Sequence, residues 1–239
     1  MEKKNRTIIK ATIWQAMGVL LLAFVSFLKT GSIKIGASIS VSYYIVRFLL
    51  YYLYERIWLK IKHGKINGFC LWLTGLSGAG KSTIAELVAK ELKKQGYNVQ
   101  RLDGDIIRNT DLSKDLGFTK EDREKNLKRT AVLAKFLVEN NVIVIASYIS
   151  PFIEIRNYLR KVIPNFIEIY VETTIDECIR RDPKGLYRRA LNGEIKNFTG
   201  FDSPYEIPID PDFVVQTTKE IPKQSAKKLI GYLKKEGLI

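Results

Sequence analysis

Histidine is almost missing from this sequence. The 239-residue chain has one, His63, in a short basic stretch. A histidine general base or a histidine-bearing zinc site is thereby excluded from everything downstream. Cysteine is nearly as scarce: Cys70 and Cys178 stand far apart in apolar surroundings. They read as buried free thiols in a reducing compartment, which excludes a disulfide framework. Acid is the minority charge, 25 Asp and Glu against 39 Lys and Arg, for a net charge of +14. That excess points to polyanions: nucleic acid, anionic lipid or phosphorylated small molecules. Much of it is lysine scattered among Ile and Asn, which also suits an ordinary solvated surface. No aromatic-and-basic RNA motif occurs, so nucleic acid is not expected as a partner. There is no internal repeat and no low-complexity segment.

Charge itself is missing from Ala11 to Leu28, which is apolar on nearly every face. A second apolar stretch runs from Ile35 to Leu53, closed by Tyr51, Tyr52, Tyr54 and Trp58, and Lys29-Thr30-Gly31-Ser32 between the two is a turn signal. Lys3, Lys4, Arg6 and Lys10 flank one outer end, and Arg56, Lys60, Lys62 and Lys65 the other. Length, interfacial aromatics and basic flanks predict a membrane-spanning two-helix hairpin over residues 1–63, with both termini in the cytoplasm. A cleaved signal peptide fits poorly, because a second apolar stretch follows and no small-residue cleavage pattern is present. Arg47, in the middle of the second stretch, is costly in lipid and opposes spanning. The competing reading is a pair of amphipathic helices on a membrane or a partner chain. Arg6, Lys10-Ala11, Trp14, Thr30-Gly31, Tyr51-Tyr52, Glu55-Arg56 and Trp58 resemble a small family of two-helix membrane domains. The resemblance implies a lipid bilayer as partner and no chemistry.

From Phe69 the pattern becomes strands alternating with helices, a parallel sheet covered on both faces. The expected strands are Phe69–Thr74, Val99–Leu102, Val142–Ala146, Phe166–Val171 and Phe213–Val215. Helices are expected over Thr83–Lys94, from a Thr119 cap to about Asn140, from Pro151, and over Ile221–Lys235. The first strand runs into Gly75-Leu76-Ser77-Gly78-Ala79-Gly80-Lys81-Ser82-Thr83, which fits G-x-x-x-x-G-K-[ST]. Glycine lets a backbone wrap a phosphate closely, so that the loop N–H groups and the helix N-terminus face the anion. Lys81 would reach the β- and γ-phosphates of ATP, and the Ser82 hydroxyl would hold Mg²⁺. The fold class is therefore α/β, a P-loop NTPase-type sheet over residues 64–239, preceded by the hairpin.

In such sheets ligands bind beyond the carboxyl ends of the strands. The second strand ends at Asp103 and Asp105. Two aspartates two apart on an extended segment point the same way, so both would face Mg²⁺–ATP, unless Asp105 merely caps the next helix. Arg108, Phe118, Arg123, Asn126 and Arg129 follow. Arginine binds oxyanions bidentately and an aromatic face stacks on a purine, so the set suits an anionic, nucleotide-like second substrate. The alternative for Arg123 and Arg129 is plain surface charge.

The run from Leu73 to about Thr217 resembles adenylyl-sulfate kinase. The matching pieces are the phosphate loop, Leu102-Asp103-Gly104-Asp105-Ile106-Ile107-Arg108, Gly117 to Asn126, Tyr148-Ile149-Ser150-Pro151, Cys178 to Tyr187, Phe198-Thr199-Gly200 and Asp202 to Glu206. The resemblance implies transfer of the ATP γ-phosphate to the 3′-hydroxyl of adenosine 5′-phosphosulfate. It gives Asp103, supported by Asp105, metal organisation or hydroxyl activation. It gives Arg108, Arg123 and Asn126 the phosphosulfate, Phe118 and Phe198 the substrate adenine, and Ile149 and Lys184 the pocket. Arg180 or Arg181 belongs to a lid over ATP. Ser150 stands where some descriptions of the family put a phosphoserine intermediate; direct in-line transfer needs none, and the residue reads as part of the substrate loop. A homodimer is also implied. The rival functions are a kinase of another small acceptor, or a silent nucleotide-binding membrane protein.

Overall fold

The computed structural model describes residues 4–60 and 67–239, with side chains in the first stretch given for residues 17–47, 49, 52 and 53. His63, Lys3, Lys62 and Lys65 lie outside the described residues, as do the side chains of Arg6, Lys10, Trp14, Tyr51, Tyr54, Glu55, Arg56, Trp58 and Lys60. The chain divides into two compact units, residues 1–64 and 65–239.

The first unit is a helical hairpin, α1 (Lys4–Thr30) and α2 (Ile33–Lys60), turned at Gly31 with φ 68°. Small residues let the helices approach closely. A Cβ on Gly36 would lie 2.9 Å from the Ala23 carbonyl oxygen. Outward, the hairpin exposes Leu20, Leu21, Phe24, Leu28, Ile33 and Val46. Arg47 places its guanidinium over the Tyr44 ring, 5.7 Å from the centroid. Among the described residues no helix is long and apolar enough to cross a membrane. The expectation of two spanning helices is not met on that measure; Ser38, Ser40, Ser42 and Arg47 interrupt the apolar run of α2.

The second unit is a five-stranded, wholly parallel sheet. Its elements are β1 (Cys70–Thr74), α3 (Lys81–Lys94), β2 (Val99–Asp103), α4 (Gly104–Arg108), α5 (Lys120–Glu139), β3 (Ile143–Ser147) and α6 (Ile153–Val162). Then come β4 (Phe166–Glu172), α7 (Ile175–Arg181), α8 (Leu186–Leu191), β5 (Phe213–Gln216) and α9 (Pro222–Lys235). The strand order β2-β3-β1-β4-β5 puts β1 at the centre, buried at every position. Alternation splits its side chains between two cores. Leu71 and Leu73 join Ile145 and Ile169 under α3 and α9, while Cys70 and Trp72 join Val144 and Ala146 under α5 and α6. Trp72 stacks on Tyr148, ring centroids 5.0 Å apart.

The five expected strands and four longer helices are present, with ends shifted by a residue or two. Thr119 caps α5, accepting from the Asp122 N–H at 3.1 Å. Of the short helices, α4 is the one that the capping alternative for Asp105 requires, while α7 and α8 go beyond the expected elements. Five to seven residues are too few for a readable apolar period.

Leu229 of α9 is fully buried against the α3 side of the sheet. Leu229→Ala should cost about 2–5 kcal/mol of stability in the second unit. Faster amide hydrogen exchange in β1 of the full chain, with α1 and α2 unchanged, is the expected reading.

Candidate active site

The carboxyl end of β1 turns at Gly75, φ 150°, where a Cβ would meet the Val171 carbonyl oxygen at 2.6 Å. No other residue fits there. The loop Gly75–Gly80 then opens α3, whose first turn has no side-chain cap, so its backbone N–H groups stay available to an anion. Lys81 lies back along the loop and donates to the carbonyl oxygens of Gly75 (2.9 Å) and Leu76 (2.7 Å). Burial pulls its pKa down to about 8; the nearby carboxylates of Asp105 and Asp103 pull the other way. Ser82 and Thr83 of this turn are exposed.

Asp103 ends β2 and is buried. Its Oδ2 accepts from the Ser82 hydroxyl at 2.7 Å and from Ser147 at 3.2 Å, and its Oδ1 from the Asp105 N–H at 3.1 Å. Burial pushes the carboxyl up, but these hydrogen bonds outweigh it and hold the pKa below the usual value. The period-two reading of Asp103 and Asp105 fails, because the chain leaves the strand at Gly104 and enters α4. Asp103 is itself the cap, and Asp105 is an exposed residue of the first helical turn. Asp105 forms an ion pair with Lys184, which crosses to it from the segment between α7 and α8.

Ser82 and Asp103 offer one hydroxyl and one ionised carboxylate in contact. This hard-oxygen pair fits Mg²⁺, which takes a few protein oxygens and completes its shell with water and phosphate. Among the described residues no group of three His, Cys, Asp or Glu gathers as a self-sufficient metal cage.

On the acceptor side, Arg108 sits over the Phe118 ring, 4.5 Å from its centroid, and donates to the Gly117 carbonyl at 2.7 Å. Arg123 donates to the Phe118 carbonyl at 2.9 Å and reaches Thr199 and the Asn197 carbonyl. Burial, then the repulsion of Arg108, lowers the pKa of Arg123. Two half-buried guanidiniums are thus close enough to repel each other, and neither forms an ion pair among the described residues. Asn126 is buried on the same helix with its Oδ1 unpartnered. Arg129 is elsewhere engaged, with both terminal nitrogens on Asp115 at 2.5 and 2.8 Å. Phe118 is exposed, whereas Phe198 is buried edge-on against Tyr187 at 4.8 Å, so the two rings do not present equally open faces.

The lid arginines separate. Arg180 is exposed and pairs with Glu177. Arg181 also pairs with Glu177 and donates to the Thr217 carbonyl at 2.6 Å. Hydrogen bonds from Arg180 and then Arg181 hold the Glu177 carboxyl down at about 2. Thr217 in turn donates to the Ala79 carbonyl at 2.9 Å, and Tyr187 donates to the Ser77 carbonyl at 3.1 Å. Thr217 and Tyr187, which hold the phosphate loop, were not singled out in the sequence. The position of Thr217 just past the carboxyl end of β5 was the available signal.

Ile149 is half-buried. Ser150 is behind the loop, not on its open side. It is buried at φ 39°, accepts from Trp72 Nε1 at 3.0 Å and donates to Thr74 Oγ1 at 3.0 Å. Arg156, buried and paired with Glu168 at 2.9 Å, donates to the Ser150 carbonyl at 2.7 Å. A groove of about 700 Å³ beside Leu76, between Tyr170 and Tyr205, contains neither Lys81 nor Asp103.

Residues 67–216 match the family described as Adenylylsulphate kinase, and residues 8–59 the family described as Predicted membrane protein (DUF2061). The adenylyl-sulfate kinase of Halothermothrix orenii is 51% identical over 173 residues, 72% of this chain and 93% of that protein. That of Clostridium acetobutylicum is 47% identical over 176 residues, 73% of this chain and 88% of the relative. Among solved structures, the Mycobacterium tuberculosis APS kinase CysC in complex with AMPPNP and APS is 41% identical. It superposes with a TM-score of 0.68 over 70% of this chain and 98% of its own. The chain belongs to the adenylyl-sulfate kinase family.

Proposed function

We propose that the chain transfers the γ-phosphate of ATP to the 3′-hydroxyl of adenosine 5′-phosphosulfate, from a kinase unit held at a membrane by its N-terminal hairpin. The observation that carries the reaction is the pair Arg108 and Arg123. Two half-buried guanidiniums with no ion pair among the described residues, beside an exposed Phe118, suit a bound anion joined to a purine. They stand on the same sheet edge as the phosphate loop.

The chemistry follows from that placement. Lys81 swings from its own loop carbonyls to the β- and γ-phosphates, while the N-terminus of α3 holds the chain of phosphates in line. The ionised Asp103 accepts a hydrogen bond from the incoming 3′-hydroxyl, orients its oxygen toward the γ-phosphorus and takes its proton as the hydroxyl O–H bond breaks. The new O–P bond forms as the bond to the β–γ bridging oxygen breaks, and ADP leaves. Mg²⁺, held by Ser82 and Asp103 with the phosphates, supplies charge neutralisation when bound. Arg181 is already tied to the loop through Thr217, so it is the lid residue nearest the ATP side; Lys184 closes from the acceptor side. Catalysis here is positioning and electrostatics, and a covalent enzyme intermediate is unnecessary.

The outward apolar residues of the hairpin and its match to a predicted membrane family support a seat in the bilayer, with the kinase unit in the cytoplasm. A homodimer is the family's implication for assembly.

Four outcomes are expected. Phosphosulfate-dependent ADP release should stay with salt-washed membranes of cells expressing the full chain; activity found only in the supernatant would remove the tether and keep the kinase. Asp103→Asn should lower kcat about 10²-fold or more, whereas Arg123→Ala should act chiefly by raising KM for the phosphosulfate, both by coupled ADP assay. Ser150→Ala should retain turnover within about tenfold, since its hydroxyl supports Trp72 and Thr74 and faces no open space. A loss near that of Asp103→Asn would instead favour a phosphoserine.

A further inference from the structure

In a parallel sheet the helices run back antiparallel to the strands, so their C-termini gather at the strands' amino ends, away from the catalytic edge. Here that end carries lysine. The last turns of α3, α6 and α9 bear Lys93 and Lys94, Lys161, and Lys234 and Lys235, all exposed. None forms an ion pair among the described residues. The chain enters the unit at the same end. Gly68 lies against the end of α5, where a Cβ would meet the Val138 carbonyl oxygen at 2.3 Å, and its own carbonyl accepts from Asn165 at 2.9 Å. The stretch leading in from the hairpin adds Lys60, Lys62 and Lys65.

We infer that this lysine collar, at the end of the kinase unit opposite the active site, docks on an anionic lipid bilayer surface. The inference rests on the hairpin's seat in a bilayer. The helix dipole favours lysine at the C-terminal turns of α3, α6 and α9, and topology brings those turns to one edge. Together they leave unpaired cations on three helix ends of that edge, with α5, which ends at Glu139, the exception. The eight residue steps from Lys60 to Gly68 span at most about 28 Å, a short tether by length alone. Collar lysines within a Debye length, about 8 Å at physiological salt, are attracted to anionic headgroups. Docking by this end leaves the carboxyl edge of the sheet open to solution, where two anionic substrates must enter.

The test uses the full chain in vesicles of phosphatidylcholine alone or in equal mixture with phosphatidylglycerol. Lysines are acetylated briefly with a water-soluble reagent and read by mass spectrometry. Lys93, Lys94, Lys161, Lys234 and Lys235 should react about fivefold more slowly in the mixed vesicles. Lys196 and Lys219, at the catalytic edge, should be unchanged, and high salt should abolish the difference. In a variant carrying Lys93→Glu, Lys94→Glu, Lys234→Glu and Lys235→Glu, turnover in phosphatidylcholine should persist and protection of Lys161 should vanish. Equal acetylation in both vesicles, with the protein vesicle-bound, would overturn the collar while leaving the tether intact. Collar protection in protein that a salt wash then strips from both vesicles would support the collar and overturn the tether. Equal protection by duplex RNA without vesicles would overturn the assignment to lipid.

Discussion

Everything at the catalytic edge depends on how closely the backbone of Gly75 passes Val171. A Cβ there would meet the Val171 carbonyl oxygen at 2.6 Å, so glycine alone lets the chain leave the β1–β4 ladder and turn into the phosphate loop. That turn aims the uncapped N-terminus of α3 at the space beyond the sheet. The loop is then fixed from behind by side chains that arrive from far along the sequence: Thr217 on Ala79 and Tyr187 on Ser77. Because Thr217 also receives Arg181, the segment that carries Arg181 is tied to the phosphate loop through one threonine.

The second organising contact is the one between Ser82 and Asp103. It joins the first turn of α3 to the end of β2 across β3, and Ser147 of β3 completes it. Two strand ends and the first turns of two helices thus meet at one carboxylate. Burial alone would favour the neutral acid, yet three donors keep it ionised. The buried pair Arg156 and Glu168 does similar work on the other flank. Arg156 holds the Ser150 carbonyl at 2.7 Å and the Glu206 carbonyl at 2.7 Å, so the loop after β3 and the segment after the lid share one anchor.

Much of this was legible in the sequence because apolar runs and glycine patterns encode local geometry. β1, the phosphate loop and α3 appear as a strand, a glycine turn and an amphipathic helix, and the structure keeps that order. What was not legible depends on contacts between distant residues. Asp103 and Asp105 look equivalent in sequence, but the strand ends between them, and only Asp103 turns inward. Arg180 and Arg181 are adjacent and alike; the neighbouring Thr217 distinguishes them. Ser150 reads as a substrate-loop residue because in-line transfer needs no phosphoserine. Its burial is decided by Trp72, seventy-eight positions earlier. The hairpin shows the limit of composition: its length and apolarity predict spanning, while serines and Arg47 in α2 weaken that reading in the described residues.

The proposed seat at a membrane sets an electrostatic difficulty for a kinase of anionic substrates. An anionic surface repels both ATP and a phosphosulfate, yet the chain's excess of positive charge suits just such a surface. The parallel sheet resolves this by polarity. Helix N-termini and the arginines that want anions lie at the carboxyl edge; lysine-bearing C-termini and the chain's point of arrival lie at the amino edge. The same strand direction that builds the phosphate site therefore separates it from the end suited to lipid, without any added structural element.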